Sequence, residues 1–117
     1  MAKKIFTMVF FVASLVVING QNNLAEAYNV HIGTYSTGYE AYIMTETISF
    51  NSAYAADATS AYCTIRAIKG NSVLYIDYNY WKDHNNNWRY SNSQGYSGRI
   101  DSSANISRKA LYYILGH

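Results

Sequence analysis

The clearest alternation of apolar and polar positions runs over residues 73–81 (VLYIDYNYW). Leu74, Ile76, Tyr78 and Tyr80 share one side of an extended strand, and Val73, Tyr75, Asp77, Asn79 and Trp81 share the other. The run KDHNNN at 82–87 interrupts with turn-forming residues, and NWRYS at 87–91 resumes the strand pattern. The segment therefore predicts a hairpin with a long polar tip, placed at the middle of a small antiparallel sheet.

The flanking sequence supplies more of the same kind. Residues 29–34 (NVHIGT) predict a first strand, YSTG at 35–38 a turn, and the β-branched and aromatic run at 39–50 (YEAYIMTETISF) a second strand. Residues 51–60 are small and polar and predict a loop, with room for one helical turn over 53–58. A third strand at 62–69 sets Cys63, Ile65 and Ala67 on one side and Tyr62, Thr64, Arg66 and Ile68 on the other. Gly70 and Asn71 then form a tight turn into the central strand. Residues 91–99 (SNSQGYSGR) hold two glycines and three serines and predict an irregular loop.

A closing helix is expected over 104–115, capped by Asp101, Ser102 or Ser103, with Ile106, Ala110, Tyr113 and Ile114 inward and Arg108 and Lys109 near the wet side. Gly116 supplies the stop. The expected architecture is an α+β domain: about five antiparallel strands in a meander with the C-terminal helix packed on one face.

The N-terminus changes where this domain is expected to work. Lys3 and Lys4 precede an apolar run at 5–18, and a polar stretch closes on Ala25, Glu26 and Ala27, the pattern of a secretory signal peptide over 1–27. An uncleaved anchor is the alternative, but a spanning helix needs roughly 20 apolar residues. Cleavage after Ala27 leaves a single domain over 28–117, secreted or held at the cell envelope, with no membrane span.

All 13 tyrosines fall in that domain. Tyr buries a large ring while its hydroxyl seeks a hydrogen bond, so it suits half-buried sheet surfaces. The seven basic and six acidic residues of 28–117 are scattered singly, which argues against a nucleic-acid partner. The lone Cys63 has no pairing partner in its own chain. It reads as a buried thiol on an apolar strand face, with an intermolecular disulfide as the alternative.

Candidate chemistry is sparse. Cys63 with His31 or His84, the carboxylates of Asp77 and Asp83, and Ser93 are the available catalytic pieces. Nothing in their spacing fixes a nucleophile beside a base or two carboxylates at a working separation. Asp77 reads as a strand residue facing solvent or pairing with Arg89. His31 reads as a surface residue, and residues 83–87 (DHNNN) as an asparagine-rich turn rather than a calcium loop. Asn105, Ile106 and Ser107 match the glycan acceptor pattern, but the helix needs Ile106 inward. No enzyme activity, cofactor or metal is expected.

Binding has the compositional support. Trp81, Trp88, Tyr90, Asn92, Gln94 and Tyr96 combine flat aromatic area with amide donors, the mix that holds sugars or partner proteins. The same rings could instead pack on one another or under the helix. The expected function is a small non-catalytic binding protein acting on a protein or glycan at the envelope. A secreted inhibitor of an envelope hydrolase (a lysozyme or protease), with residues 91–99 entering the active site, is the alternative, and a small enzyme is the third class.

Two stretches, IGTYSTGYEAYIMTETISF at 32–50 and IDYNYWKDHNNNWRYSNSQGYSGRID at 76–101, followed by a short helix, carry a resemblance. The chain resembles a group of uncharacterised short exported proteins of Firmicutes-type bacteria with a similar tyrosine-rich strand and Ser-Asn-Ser-Gln-Gly loop. That resemblance covers most of 28–117 and implies export without implying an activity. The strand rhythm is also similar to surface adhesin domains of the protein E type.

Overall fold

The computed structural model describes residues 29–103 and 105–116. The leader expected over 1–27 lies outside them. Six strands run in chain order: β1 (Asn29–Thr34), β2 (Glu40–Phe50), β3 (Ser60–Lys69), β4 (Ser72–Lys82), β5 (Trp88–Asn92) and β6 (Ser97–Arg99), with α1 (Ile106–Leu115) closing the chain. They form one sheet, each strand antiparallel to the next, in the order β1-β2-β3-β4-β5-β6. The meander and terminal helix agree with the sequence, but the sheet has six strands rather than about five. The extra strand, β6, lies in the stretch expected to be irregular.

The β3–β4 hairpin forms as its turn demands. Lys69 faces Ser72 across Gly70 and Asn71, and the pairing continues without interruption to Ser60 opposite Trp81. Ala41, Ile43, Cys63, Ile65, Ala67, Ile76, Tyr78 and Tyr80 all fall on one face and are buried. Two irregularities bend the first strands. One is a register shift between His31 and Gly33, the other between Met44 and Ser49, where the Thr64 amide donates to the Thr47 hydroxyl at 2.8 Å instead of to a strand carbonyl. Residues 51–59 contain a single 3-10 turn at Ala55–Asp57.

Helix α1 packs on β1, β2 and β3. Its cap differs from expectation: the Asn105 side chain accepts from the Arg108 amide at 3.0 Å, and the helix starts at Ile106. The buried residues are Ile106, Ser107, Ala110, Leu111 and Ile114, whereas Tyr113 stays 40% exposed. At 3.6 residues per turn Ser107, Ala110, Leu111 and Ile114 fall on one stripe with Ile106, which leaves Tyr113 at its edge. Gly33 lies close under α1: a Cβ there would lie 3.0 Å from Ile106 Cδ1 and 3.2 Å from Lys109 Nζ, the ends of two side chains. Gly116 ends the helix in the left-handed region at φ 83°.

Candidate functional site

Because α1 sits over the first three strands, the same face of β4 and β5 has a different cover. Past Asn92, β5 turns away, and the floor beyond it is Leu74, Ile76 and Tyr78 of β4. The β1–β2 turn closes one side. Tyr35 accepts from the Gly38 amide at 2.9 Å and donates its own amide to the Tyr39 carbonyl at 2.8 Å, so both rings are held out over the sheet. The Tyr35 hydroxyl shares a hydrogen bond with the Tyr78 hydroxyl at 2.8 Å, and Tyr39 shares one with Ser72 at 2.8 Å.

The other wall is the β5–β6 turn. Asn92 Oδ1 accepts from the amides of Gln94 at 3.0 Å and Tyr96 at 3.1 Å, and the Asn92 amide donates to the Tyr96 carbonyl at 2.9 Å. One asparagine thus folds a serine- and glycine-rich stretch into an ordered turn. The start of α1, at Asn105, Ile106 and Ser107, closes the end. The result is a cleft of about 720 Å³ with a floor of Leu74, Ile76 and Tyr78, walls of Tyr35, Tyr39, Tyr90 and Tyr96, side-chain amides of Asn92, Gln94 and Asn105, and no charged side chain in its lining.

Burial sets the electrostatics of the floor. Burial, and then the neighbouring Tyr78 hydroxyl, pushes the Tyr35 phenol above its usual 10.0, and burial does the same to Tyr78. Tyr80 is sealed deeper, 1% exposed, and donates to the Ser107 carbonyl at 2.7 Å. Tyr78 stacks between Tyr80 and Tyr90 with ring centroids 6.0 and 6.2 Å away. The Tyr35, Tyr78 and Tyr80 phenols stay neutral donors and acceptors near pH 7.

Of the six residues singled out from sequence, Tyr90, Asn92, Gln94 and Tyr96 line the cleft. Trp88 shares their face, opposite Lys82, but packs half-buried against the core with Lys82 Nζ 5.6 Å from its ring centroid. Trp81 does not join them. It pairs with Arg89 on the opposite, uncovered face and is 38% exposed. The reasoning from sequence missed Tyr35, Tyr39 and Tyr78 as cleft residues. The signal available was the YSTGY turn, whose tyrosines flank a tight reversal.

The candidate catalytic pieces are dispersed. Cys63 is fully buried on the helix side, its thiol pushed up to about 12 by burial and then by the Asp77 carboxylate. His31 lies on the opposite face, bonded to Glu40 at 2.7 Å. Asp77 accepts from the Thr64 hydroxyl at 2.8 Å and the Tyr62 hydroxyl at 3.0 Å. The partner of Arg89 is Asp83, at 3.4 Å, and not Asp77, because Arg89 lies opposite Trp81, four residues along β4 from Asp77. Asp83 Oδ1 is occupied by the amides of Asn85 at 2.9 Å and Asn87 at 3.0 Å, and the first of its causes, the Asn87 amide, holds its carboxyl below the usual 3.8. Among the described residues no group of three or more His, Cys, Asp and Glu side chains is placed to hold a metal ion. No helix there is long and apolar enough to cross a membrane.

No protein-family model, curated protein or solved structure matches the chain, so the cleft itself carries the functional argument.

Proposed function

We propose that this protein is a small exported, non-catalytic binding protein of the cell envelope or its surroundings, and that its ligand is an uncharged group held in the cleft between the β1–β2 and β5–β6 turns. The observation carrying this reading is the cleft's makeup: about 720 Å³, a largely apolar floor, four tyrosine walls, three side-chain amides and no charge. That volume lies in the range of roughly 300–1,000 Å³ typical of ligand sites, and such sites combine apolar area with a few convergent polar groups. An ionic ligand would lose hydration here with no counter-charge to replace it.

The test screens the full chain against an array of neutral oligosaccharides and a library of random heptapeptides. Gln94→Ala with Tyr96→Ala should weaken the resulting binding at least tenfold while the melting temperature stays within about 2 °C, since Tyr96 is 65% exposed and surface changes cost little. Binding that ignores this double variant, or none from either collection, overturns the reading.

A second reading, inhibition of an envelope hydrolase, draws support from the same wall. The turn bearing Tyr96 is held by two hydrogen bonds to Asn92, and Tyr96 is exposed on it. Here Tyr96→Ala should abolish inhibition in a panel of lysozymes and proteases, and a panel with no inhibited member counts against it.

A further inference from the structure

Beside the cleft, β4 has a run of open backbone. The β3–β4 hairpin closes with Lys69 opposite Ser72, which turns the N–H and C=O groups of Ser72, Leu74, Ile76 and Tyr78 towards β3. Those of Val73, Tyr75, Asp77 and Asn79 therefore face the other way, towards β5. Asn79 pairs with Ser91, and Asp77 is closed by the turn: its carbonyl accepts from the Ser93 amide at 3.0 Å and its amide donates to the Ser93 hydroxyl at 2.9 Å. There β5 leaves the sheet. Among the described residues no strand lies alongside Val73 and Tyr75, whose two amides and two carbonyls face that lane.

We infer that this open edge and the cleft form one site, which takes an extended, uncharged peptide segment as an added strand in the lane β5 vacates. This rests on the cleft reading above and names its ligand. The complementarity is one of backbone dipoles. Val73 and Tyr75 present donor and acceptor at a two-residue strand spacing of roughly 6.6–6.8 Å, which an extended chain matches pair for pair. The residue of the peptide opposite Leu74 lies between those two pairs, and strand alternation turns its side chain onto the face of Leu74 and Ile76, into the cleft. An apolar or aromatic side chain fits there, and the Gln94 amide can meet a hydroxyl on it.

The edge sequence agrees. Natural sheets guard exposed edges with Lys, Pro, bulges or inward charges, whereas residues 73–76 read Val-Leu-Tyr-Ile with no charge and no irregularity in their pairing to β3. Val73 is 41% and Tyr75 59% exposed. An undefended edge of this composition is a pairing surface, and the ordered turn at Ser93 stops β5 from occupying it.

The experiment selects binders from the random heptapeptide library on the full chain, then measures amide exchange with and without the best synthetic heptapeptide. Enriched peptides should be poor in charge, and the amides of Val73 and Tyr75 should exchange at least tenfold more slowly when one is bound. N-methylation of the peptide at the two alternate positions that pair should weaken binding at least tenfold, while N-methylation of the residue between them should not. Tyr75→Pro, which removes an amide the fold leaves unbonded, should block binding, and Tyr75→Ala should not. Because N-methylation leaves the protein untouched, misfolding of the proline variant does not shelter the inference. Cleft-dependent binding of neutral oligosaccharides with no enriched peptide, or peptide binding without protection of those two amides, overturns the strand inference and leaves the cleft reading standing. Loss of both overturns both.

Discussion

Over β1, β2 and β3 the sheet is sealed by α1, while over β4 and β5 the same face is left largely to tyrosines. Under the helix the residues are small or aliphatic: Ala41, Ile43, Cys63, Ile65 and Ala67 let Ala110 and Leu111 approach until both are fully buried. Towards β5 the floor becomes Tyr78, its ring stacked on Tyr90 of the wall and its hydroxyl bonded to Tyr35. One alternating pattern thus yields a dry half and a wettable half, according to whether a strand offers aliphatic side chains or phenols. Stability rests on the first half, and the proposed recognition falls to the second.

That division can be broken most directly at Leu111. Leu111→Ala should cost about 2–5 kcal/mol, the range for emptying a packed core site, and Tyr96→Ala within about 0.5 kcal/mol, both read by denaturant unfolding. Equal costs would erase the distinction. A smaller contrast sits in the phenols. Tyr80→Phe leaves the Ser107 carbonyl without its buried donor and should cost about 1–3 kcal/mol, whereas Tyr35→Phe, at the half-buried rim, should cost about 0.5–1.5 kcal/mol.

The third contrast uses pH. In the unfolded chain the thiol ionises near 9.0 and the phenols near 10.0, while in the fold burial raises Cys63 to about 12 and pushes Tyr35, Tyr78 and Tyr80 upward. Groups raised on folding contribute stability that is complete below their unfolded values and is lost as pH rises towards the folded ones. The melting temperature should therefore hold to about pH 9 and fall beyond it, and Tyr80→Phe should shallow that fall. The smallest effect belongs to the uncovered face. The His31 ring, and then the Thr34 hydroxyl, lower the Glu40 carboxyl below 4.5. Its contribution is present above about pH 4.5 and fades as pH drops below it. Because the pair is exposed, Glu40→Gln should change that acid limb only slightly.

The two halves were not equally legible from sequence. Hairpins whose turn and strands are contiguous, such as 60–82 around Gly70 and Asn71, follow from local chemistry, and the structure keeps them. Strand β6 was hidden because Ser97, Gly98 and Arg99 have no strand preference. They pair because Asn92 builds the turn that delivers them to β5. The site was half legible. Tyr90, Asn92, Gln94 and Tyr96 are close in sequence and stay together, while Trp81 was separated by parity: Lys82 faces Trp88 across the tip, which turns Trp81 to the far side. Tyr35 and Tyr39 reach the site from across the sheet, a placement that only tertiary packing determines.

The burial of Cys63 has a practical corollary. The chain has one sulfhydryl, enclosed on β3 opposite Tyr78 and under α1, so an alkylating reagent can reach it only when the helix lifts or neighbouring strands separate. The rate at which such a reagent is consumed by untreated protein is therefore a label-free clock for excursions from the native state. Any occupant that bridges the two halves of the sheet should slow that clock.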